Sequence, residues 1–485
     1  MQVFNSLTRK LEAFTPGNGR KVIMYVCGLT PYDSAHIGHA RTYVAFDMVK
    51  RFLKKEGYEV YHIQNITDVE DKIIRRCRET GADPKKLTEE IHSEALEMFD
   101  ALNILRADAY PKVTEHIADI MGMVKALLDK GFAYETATGV YFDVSKSKGY
   151  GALSGQDLDE IKAGSRKEVD ETKGDPADFA LWKKTSGEII EFDSPWGRGR
   201  PGWHIECSAM SFKFAGATLD IHGGARDLIF PHHENEIAQS EAATGQKFCR
   251  YWMHTGFLTV EGEKMSKSLG NFITLRQSLS QFSPNALRMF YLQAHYRSPL
   301  DYDEDALVAA GESVERIFNS LGLIREIEEG RMSADDEGFR SESDSLAGEF
   351  YAAMESDFDT PRALAALFSL LRLANAHLEK DAVDSHQLDK VRQELEAMVW
   401  ILGLKEGEGG LAEKAEGLRK LASEFGIRES EPGKIVERLI AMREELRKKK
   451  EFQKADEIRA RLKEAGVVLE DKAGVGRAGP RRKVK

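Results

Sequence analysis

The sequence predicts an α/β protein: a doubly wound parallel sheet, interrupted by an insertion and followed by helices alone. Three observations carry this. Lys21 to Gly28 (KVIMYVCG) is an apolar run closed by a glycine, as in a buried strand. From the loop after it to about Glu56, residues Ala40, Val44, Met48 and Phe52 recur every fourth position on one helix face, and Gly57 stands where a left-handed cap ends such a helix. Glu59 to Ile66 (EVYHIQNI) reads as a second strand, and strand, helix and strand at this spacing make a parallel βαβ unit, Rossmann-like in plan.

Residues from about 113 to 199 break the rhythm. They hold an amphipathic helix around Glu115 to Lys130, a short strand pair between Ala133 and Val144, and a polar, turn-rich stretch from Ser145 to Asp178. This reads as an inserted, connective domain. Leu219 to His222 and Tyr251 to Phe257 are candidates for returning strands, and from Pro284 the pattern is almost wholly helical. The acidic, Ser-rich residues from Glu326 to Ser345 read as a surface connection, and Glu406 to Gly410 (EGEGG) as a flexible linker.

At 485 residues the chain is too long for a single core. Its 42% hydrophobic and 31% charged residues belong to a globular protein, with no apolar run near the length that spans a bilayer. Four cysteines cannot make a disulfide framework in so long a chain. With no apolar signal core at the start, these features predict a cytoplasmic protein whose cysteines are free thiols or metal ligands. Cys77 and Cys249 read as small buried hydrophobes. The net charge is −11, unevenly spread: from Ala441 onward fifteen Lys or Arg face eight Asp or Glu, leaving +7 there and −18 on the rest. A basic tail on an acidic body suits a local polyanion contact, although charge alone fits a solvated helical face about as well.

Two short motifs suit nucleotide chemistry. His36-Ile37-Gly38-His39 follows the first strand at a helix start, where unpaired backbone N–H groups and the helix dipole favour phosphate. The two imidazoles are placed to donate to charge developing on an α-phosphate, and Gly38 leaves the backbone open to an adenine or ribose. Lys264-Met265-Ser266-Lys267-Ser268, between Gly262 and Gly270, offers two flexible point charges for a pyrophosphate leaving group on a loop free to close. Each string alone is commonly a capped turn or a solvated loop; the ordered pair is much more specific.

A third constellation suits a metal. Cys27 ends the first strand. Cys207 lies in PGWHIECS (residues 201–208), and Pro231-His232-His233-Glu234-Asn235-Glu236 reads as a helix start with proline in its first turn. Two thiolates with a His and a Glu four residues apart make a tetrahedral zinc set. Spacing alone leaves His233 with Glu236 nearly as good as His232 with Glu236.

The motif pair resembles the class I aminoacyl-tRNA synthetases. The strings CGLTPYDSAHIGH (27–39), NITDVEDKII (65–74), DFALWK (178–183), PGWHIECSAM (201–210) and FPHHENEIAQ (230–239) resemble the cysteinyl-tRNA synthetase family, over Phe4 to about Leu469. The resemblance implies one Zn2+ per chain on Cys27, Cys207, His232 and Glu236. It implies catalysis by His36, His39, Lys264 and Lys267, with ATP also contacted at Gly38 and Asp227. It puts Trp203, His222, Thr30 and Thr67 in the amino-acid pocket, and implies Mg2+ with ATP. The partners implied are ATP, L-cysteine and tRNA(Cys), without a membrane, for a monomer. Because zinc prefers a soft thiolate to a hydroxyl, no editing domain against serine is required, and the insertion need not be one.

The domain expectations are a first half of the catalytic domain over 1–112, the insertion over 113–199, a second half with the metal site over 200–262, the Lys264 loop and a stem-contact region over 263–330, a helical bundle over 331–405 and a small anticodon-binding region with the basic tail over 411–485. AMESDFDTPRALAALF (353–368) resembles the family's bundle, and ADEIR (455–459) its C-terminal helix pair, whose basic residues would hold phosphate. Where family members commonly carry a Trp-Arg pair, this chain has GVGRAG (474–479) and PRRKVK (480–485), with no aromatic to stack on a base. Two other readings compete: a ligase of the mycothiol type joining cysteine to an amino sugar, whose core is similar but which lacks the C-terminal region, and a silent tRNA-binding relative, against which the intact motifs argue.

Overall fold

The computed structural model describes residues 1–156, 172–265, 270–326, 335–407, 415–427, 429, 432–449 and 451–465. It divides into two compact units, the first made of Met1–Ser278, Tyr291–Tyr302 and Phe350–Ala363, the second of Leu279–Phe290, Asp303–Glu349 and Leu364–Lys485.

The first unit begins with an antiparallel hairpin, β1 (Gln2–Asn5) and β2 (Lys10–Ala13), which no sequence signal announced. There follow β3 (Lys21–Val26), α1 (Ile37–Lys55), β4 (Glu59–Gln64), α2 (Asp71–Thr80), α3 (Pro84–Ala101) and α4 (Ile117–Asp129). Next come β5 (Ala133–Glu135), β6 (Gly139–Phe142), β7 (Phe179–Lys184), β8 (Gly199–Pro201) and α5 (Trp203–Ala215), then β9 (Leu219–Ala225), α6 (Glu234–Thr244) and β10 (Cys249–Thr255). The remaining elements are β11 (Leu258–Val260), β12 (Glu263–Lys264), α7 (Leu275–Gln281) and β13 (Leu300–Tyr302).

The parallel sheet has the order β10-β9-β3-β4. Val22, Met24, Tyr25 and Val26 are all buried, which explains why β3 is an apolar run and not an alternation. Helix α1 is buried nearly all round, so its polar residues need partners: Arg51 donates to Asp47 within the helix at 2.8 Å, both side chains out of solvent, and Lys50 donates to the Arg106 carbonyl at 2.9 Å. The chain runs from β3 to β4 on one side and returns through β9 and β10 on the other. The strand order thus reverses between β3 and β9, and the crevice beyond their C-terminal ends is where such sheets bind ligands.

The insertion is more ordered than its composition suggests. β5, β6, β7 and β8 form one antiparallel sheet in that order. Phe142, Phe179, Leu181 and Trp182 fill its core with Val124 and Leu127 of α4. The turn-rich stretch expected up to Asp178 includes residues 157–171, which lie outside the described residues.

From residue 284 the pattern is helical, as read, apart from β13. The helices are α8 (Pro284–Leu292), α9 (Glu304–Arg325), α10 (Glu337–Glu355), α11 (Thr360–Leu378), α12 (Ser385–Leu402), α13 (Ala415–Glu424), α14 (Pro432–Lys448) and α15 (Phe452–Glu464). The surface connection expected over Glu326 to Ser345 is corrected by α10. Phe339 and Ser343, four apart, are buried, and Phe339 stacks on His377 at 3.8 Å, so one face packs while the acidic face hides the period. Residues 327–334 and, within the expected 406–410 linker, residues 408–410 lie outside the described residues. The last three helices enclose a core of their own, with Leu418, Leu421, Ile435, Leu439, Ile458 and Leu462. Among the described residues no helix is long and apolar enough to cross a membrane.

Candidate active site

The crevice holds a cavity of about 330 Å³. Its wall comes from the C-terminal ends of the parallel strands: Cys27 and Gly28 after β3, Asn65 and Thr67 after β4, Ala225 at the end of β9 and Gly256 after β10. The β3 and β4 loops are fitted closely. The Asn65 side chain accepts from Gly28 N–H at 2.9 Å and donates to Thr67 Oγ1 at 3.1 Å. A Cβ on Gly28 would lie 1.6 Å from the Asn65 carbonyl oxygen, so only glycine allows the approach. Asn65 is a site residue that sequence reasoning quoted without giving it a role.

His36 is the N-cap of α1. Its Nδ1 accepts from the backbone N–H of Gly38 at 3.1 Å and of His39 at 3.3 Å, and His39 Nδ1 accepts in turn from His36 N–H at 3.3 Å. The stacked rings, 3.6 Å apart, form a capping box built from histidines. An accepting Nδ1 fixes the tautomer, leaving each Nε2 protonated. Burial pulls His36 down to about 4 and, with the nearby His36 and Lys72, holds His39 well below its usual value. Both rings are thus neutral N–H donors on the cavity wall. Gly38 has a second reason: a Cβ there would meet the His36 ring at 3.0–3.1 Å.

One turn on, buried Arg41 donates to the carbonyls of Phe257 and Ser298, which flank β11 and β13. Because β12 pairs with β11, this guanidinium ties the helix bearing His36 and His39 to the sheet bearing Lys264. Lys264 ends β12, Met265 lines the cavity, and Lys267 lies outside the described residues. The flanking Gly262 and Gly270 both have φ above +70°.

The candidate metal donors converge behind this wall. Atoms of Cys27, Cys207, His232 and Glu236 lie within 4.8 Å of one another, and so do those of Cys27, His222, His233 and Glu236. Both sets are buried and share Cys27 and Glu236, so the ambiguity between the two histidines has a structural counterpart. They differ in aspect: Cys27, Cys207 and His232 line the cavity, whereas His222 and His233 stand outside its lining. His233 is held between Cys27 Sγ at 3.2 Å and His254 Nε2 at 2.8 Å. His222 stacks on Trp252 and meets Glu236 Oε2 at 3.0 Å.

Burial alone would raise Glu236, yet His222 and His232 hold it at about 2. Cys207, accepting from Cys27, is brought down to about 6 against the effect of burial, while burial first and Cys207 second push Cys27 up. Burial opposes a charge on His232, but Glu236 and Cys207 raise it to about 10. A buried carboxylate and thiolate thus need compensating positive charge, and the cavity-facing soft donor set suits a thiophilic dication.

Pro231 does not open the helix as expected. Residues Ile229–His233 form a kinked π-helical turn with extended Phe230, and α6 starts at Glu234. The turn still sets His232 Nε2 3.0 Å from Glu236 Oε1. Trp203, at the start of α5, stacks on His232 with centroids 4.3 Å apart and lines the cavity, as do Thr30, Thr67 and Asp227. His204, which sequence reasoning passed over, brings its Nδ1 within 3.0 Å of His232 Nδ1. Its only signal was its place inside PGWHIEC.

Comparison with known proteins places the fold. The structure of Mycobacterium tuberculosis methionyl-tRNA synthetase in complex with methionyl-adenylate superposes with a TM-score of 0.60 at 16% identity, covering 87% of this chain and 94% of that one. The profile described as tRNA synthetases class I (C) catalytic domain matches residues 13–312. Fold and catalytic region are therefore those of a class I aminoacyl-tRNA synthetase. Beyond them, profiles of the DALR domain and of the cysteinyl-tRNA ligase anticodon binding domain match residues 349–406 and 433–475. The cysteine–tRNA ligase of Thermococcus onnurineus is 47% identical over 97% of both chains, and that of Pelotomaculum thermopropionicum 48% identical over 97% of this chain and 98% of its own. The chain belongs to the cysteinyl-tRNA synthetase family.

Proposed function

We propose that the cavity activates L-cysteine with ATP, giving cysteinyl-adenylate and pyrophosphate, and then passes the cysteinyl group to the 3′-terminal adenosine of tRNA(Cys), releasing AMP. The observation that carries this reading is one cavity walled by the His36–His39 turn on one side and by Cys27, Cys207 and His232 on another. The profile match at residues 433–475 favours tRNA over an amino sugar as acceptor.

Neutral His36 and His39 present Nε2–H donors to the charge that builds on the α-phosphate as the cysteine carboxylate attacks. They need no proton transfer to do so. Lys264 and Lys267 are assigned to the leaving pyrophosphate and Asp227 to the ribose, with magnesium accompanying ATP. No side chain serves as nucleophile, so the chain contributes positioning and electrostatics. Cys27, Cys207, His232 and Glu236 would hold one zinc ion, which supplies a Lewis acid that prefers a thiolate to a hydroxyl. Trp203 walls the amino-acid side of the cavity and holds the His232 ring by stacking, His204 fixes that ring from its other nitrogen, and His222 orients Glu236. Four buried, unpaired cysteines agree with a reducing, cytoplasmic setting.

ATP–pyrophosphate exchange tests the reading. A pocket without metal separates cysteine from serine by about 10–200-fold, the scale of a single small group. The metal-binding reading requires discrimination well beyond that, with about one zinc per chain; exchange of similar rate with serine sinks it.

A further inference from the structure

We propose that Lys72 is a phosphate-binding residue at the rim of the cavity, an inference that rests on the ATP-dependent reading above. Among the described residues lining the cavity, Lys72 is the one lysine or arginine. The chemistry there handles a triphosphate, an adenylate and the phosphodiester end of a nucleic acid, and the two histidines that face it are neutral. Apart from the metal donors around His232, the described wall offers no other cationic side chain.

The surroundings of Lys72 make little sense as a purely structural arrangement. It stands on the first turn of α2, where the helix dipole disfavours a positive charge. The nearby carboxylates are engaged elsewhere. Asp71 pairs with Lys183 at 3.2 Å and with Arg200, while Glu70 caps the helix by accepting from the backbone N–H of Lys72. Among the described residues no carboxylate pairs with the Lys72 ammonium. It lies instead over the ring of Tyr32, 5.1 Å from the centroid, and Tyr32 also lines the cavity. An aromatic platform holds an ammonium in place without neutralising it, which leaves the charge available to an anion. Its field reaches the catalytic turn, where it helps to keep His39 unprotonated.

The phosphate has two possible sources, a phosphate of ATP or the phosphodiester next to the terminal adenosine of tRNA, and the two half-reactions separate them. The full-length, metal-loaded protein and its Lys72→Gln and Lys72→Arg variants are compared in cysteine-dependent ATP–pyrophosphate exchange and in single-turnover transfer from preformed cysteinyl-adenylate to tRNA(Cys). Lys72→Gln is expected to weaken one half-reaction by about ten- to a hundred-fold, the range for losing one charge-assisted contact, with Lys72→Arg retaining most of it and the KM for cysteine unchanged. A raised KM for ATP in exchange assigns the phosphate to ATP; slowed transfer with normal exchange assigns it to the acceptor end. Because the residue is exposed and opposes the helix dipole, Tm should hold or rise slightly. Unchanged rates in both half-reactions overturn the proposal, as does an equal loss in both accompanied by a lowered Tm. Failure of the wild-type protein to activate cysteine would instead count against the functional reading itself.

Discussion

At the scale of single residues, the chemistry turns on protonation states that packing sets. His36 has two nitrogens in two settings: Nδ1 closes the helix cap, which leaves Nε2 as the N–H donor of a ring on the cavity wall. Replacing it with Asn separates them. Asn is a good N-cap, so the unfolding free energy should change by less than about 1 kcal/mol, while the shorter side chain no longer presents the donor at the same place. The expected exchange rate falls about a hundred-fold or more, the scale for one lost transition-state donor. Near-normal exchange by His36→Asn would show that the ring matters only as a cap. The motif string identified both histidines from the sequence; their tautomer was not legible, because it depends on which backbone N–H groups the folded turn aims at each Nδ1.

At the scale of elements, the site depends on how tightly loops from neighbouring strands meet. Gly28 and Asn65 are 37 positions apart. No local pattern reveals that a Cβ on one would collide with the carbonyl of the other. Gly28→Ala should therefore cost about 1–3 kcal/mol by overpacking and shift Cys27 and Thr67 together. Chemical denaturation and zinc content measured on the same preparation check this, and an unchanged midpoint with full zinc occupancy contradicts it. The same distance effect decides what was legible. β3, α1 and β4 followed from local signals, among them the apolar run of β3 and the apolar stripe at every fourth position of the helix. β7 and β8 did not, since Phe179–Lys184 and Gly199–Pro201 are strands only by pairing across the insertion. Pro231 misled because a kinked π-helical turn delays the helix by three residues beyond it, although the spacing of His232 and Glu236 survives.

At the scale of the whole molecule, stability should carry the mark of buried neutral imidazoles. His62, on β4, has both ring nitrogens out of solvent and, among the described residues, without a partner, and burial, reinforced by Lys50, lowers it to about 3. In the unfolded chain it takes up its proton near the ordinary value of about 6.5. Between those values the unfolded state binds the extra proton, so this histidine favours the fold above about pH 6.5 and progressively less as pH falls towards 3. At pH 5.5 the loss is about 1.4 kcal/mol relative to pH 7.5. Other groups titrate in the same range, some with the opposite sign: buried Glu206 is held well above its usual value and loses its contribution as pH rises. The difference between two proteins removes them. His62→Leu deletes two unsatisfied polar atoms from an apolar strand position, so it should be close to neutral at pH 7.5 and more stable than wild type by about 1.4 kcal/mol at pH 5.5. Urea unfolding of both proteins at the two pH values gives the comparison directly. A constant difference between them would mean that His62 takes up its proton in the fold at the same pH as in the unfolded chain, its charge met by Asp108 despite the burial.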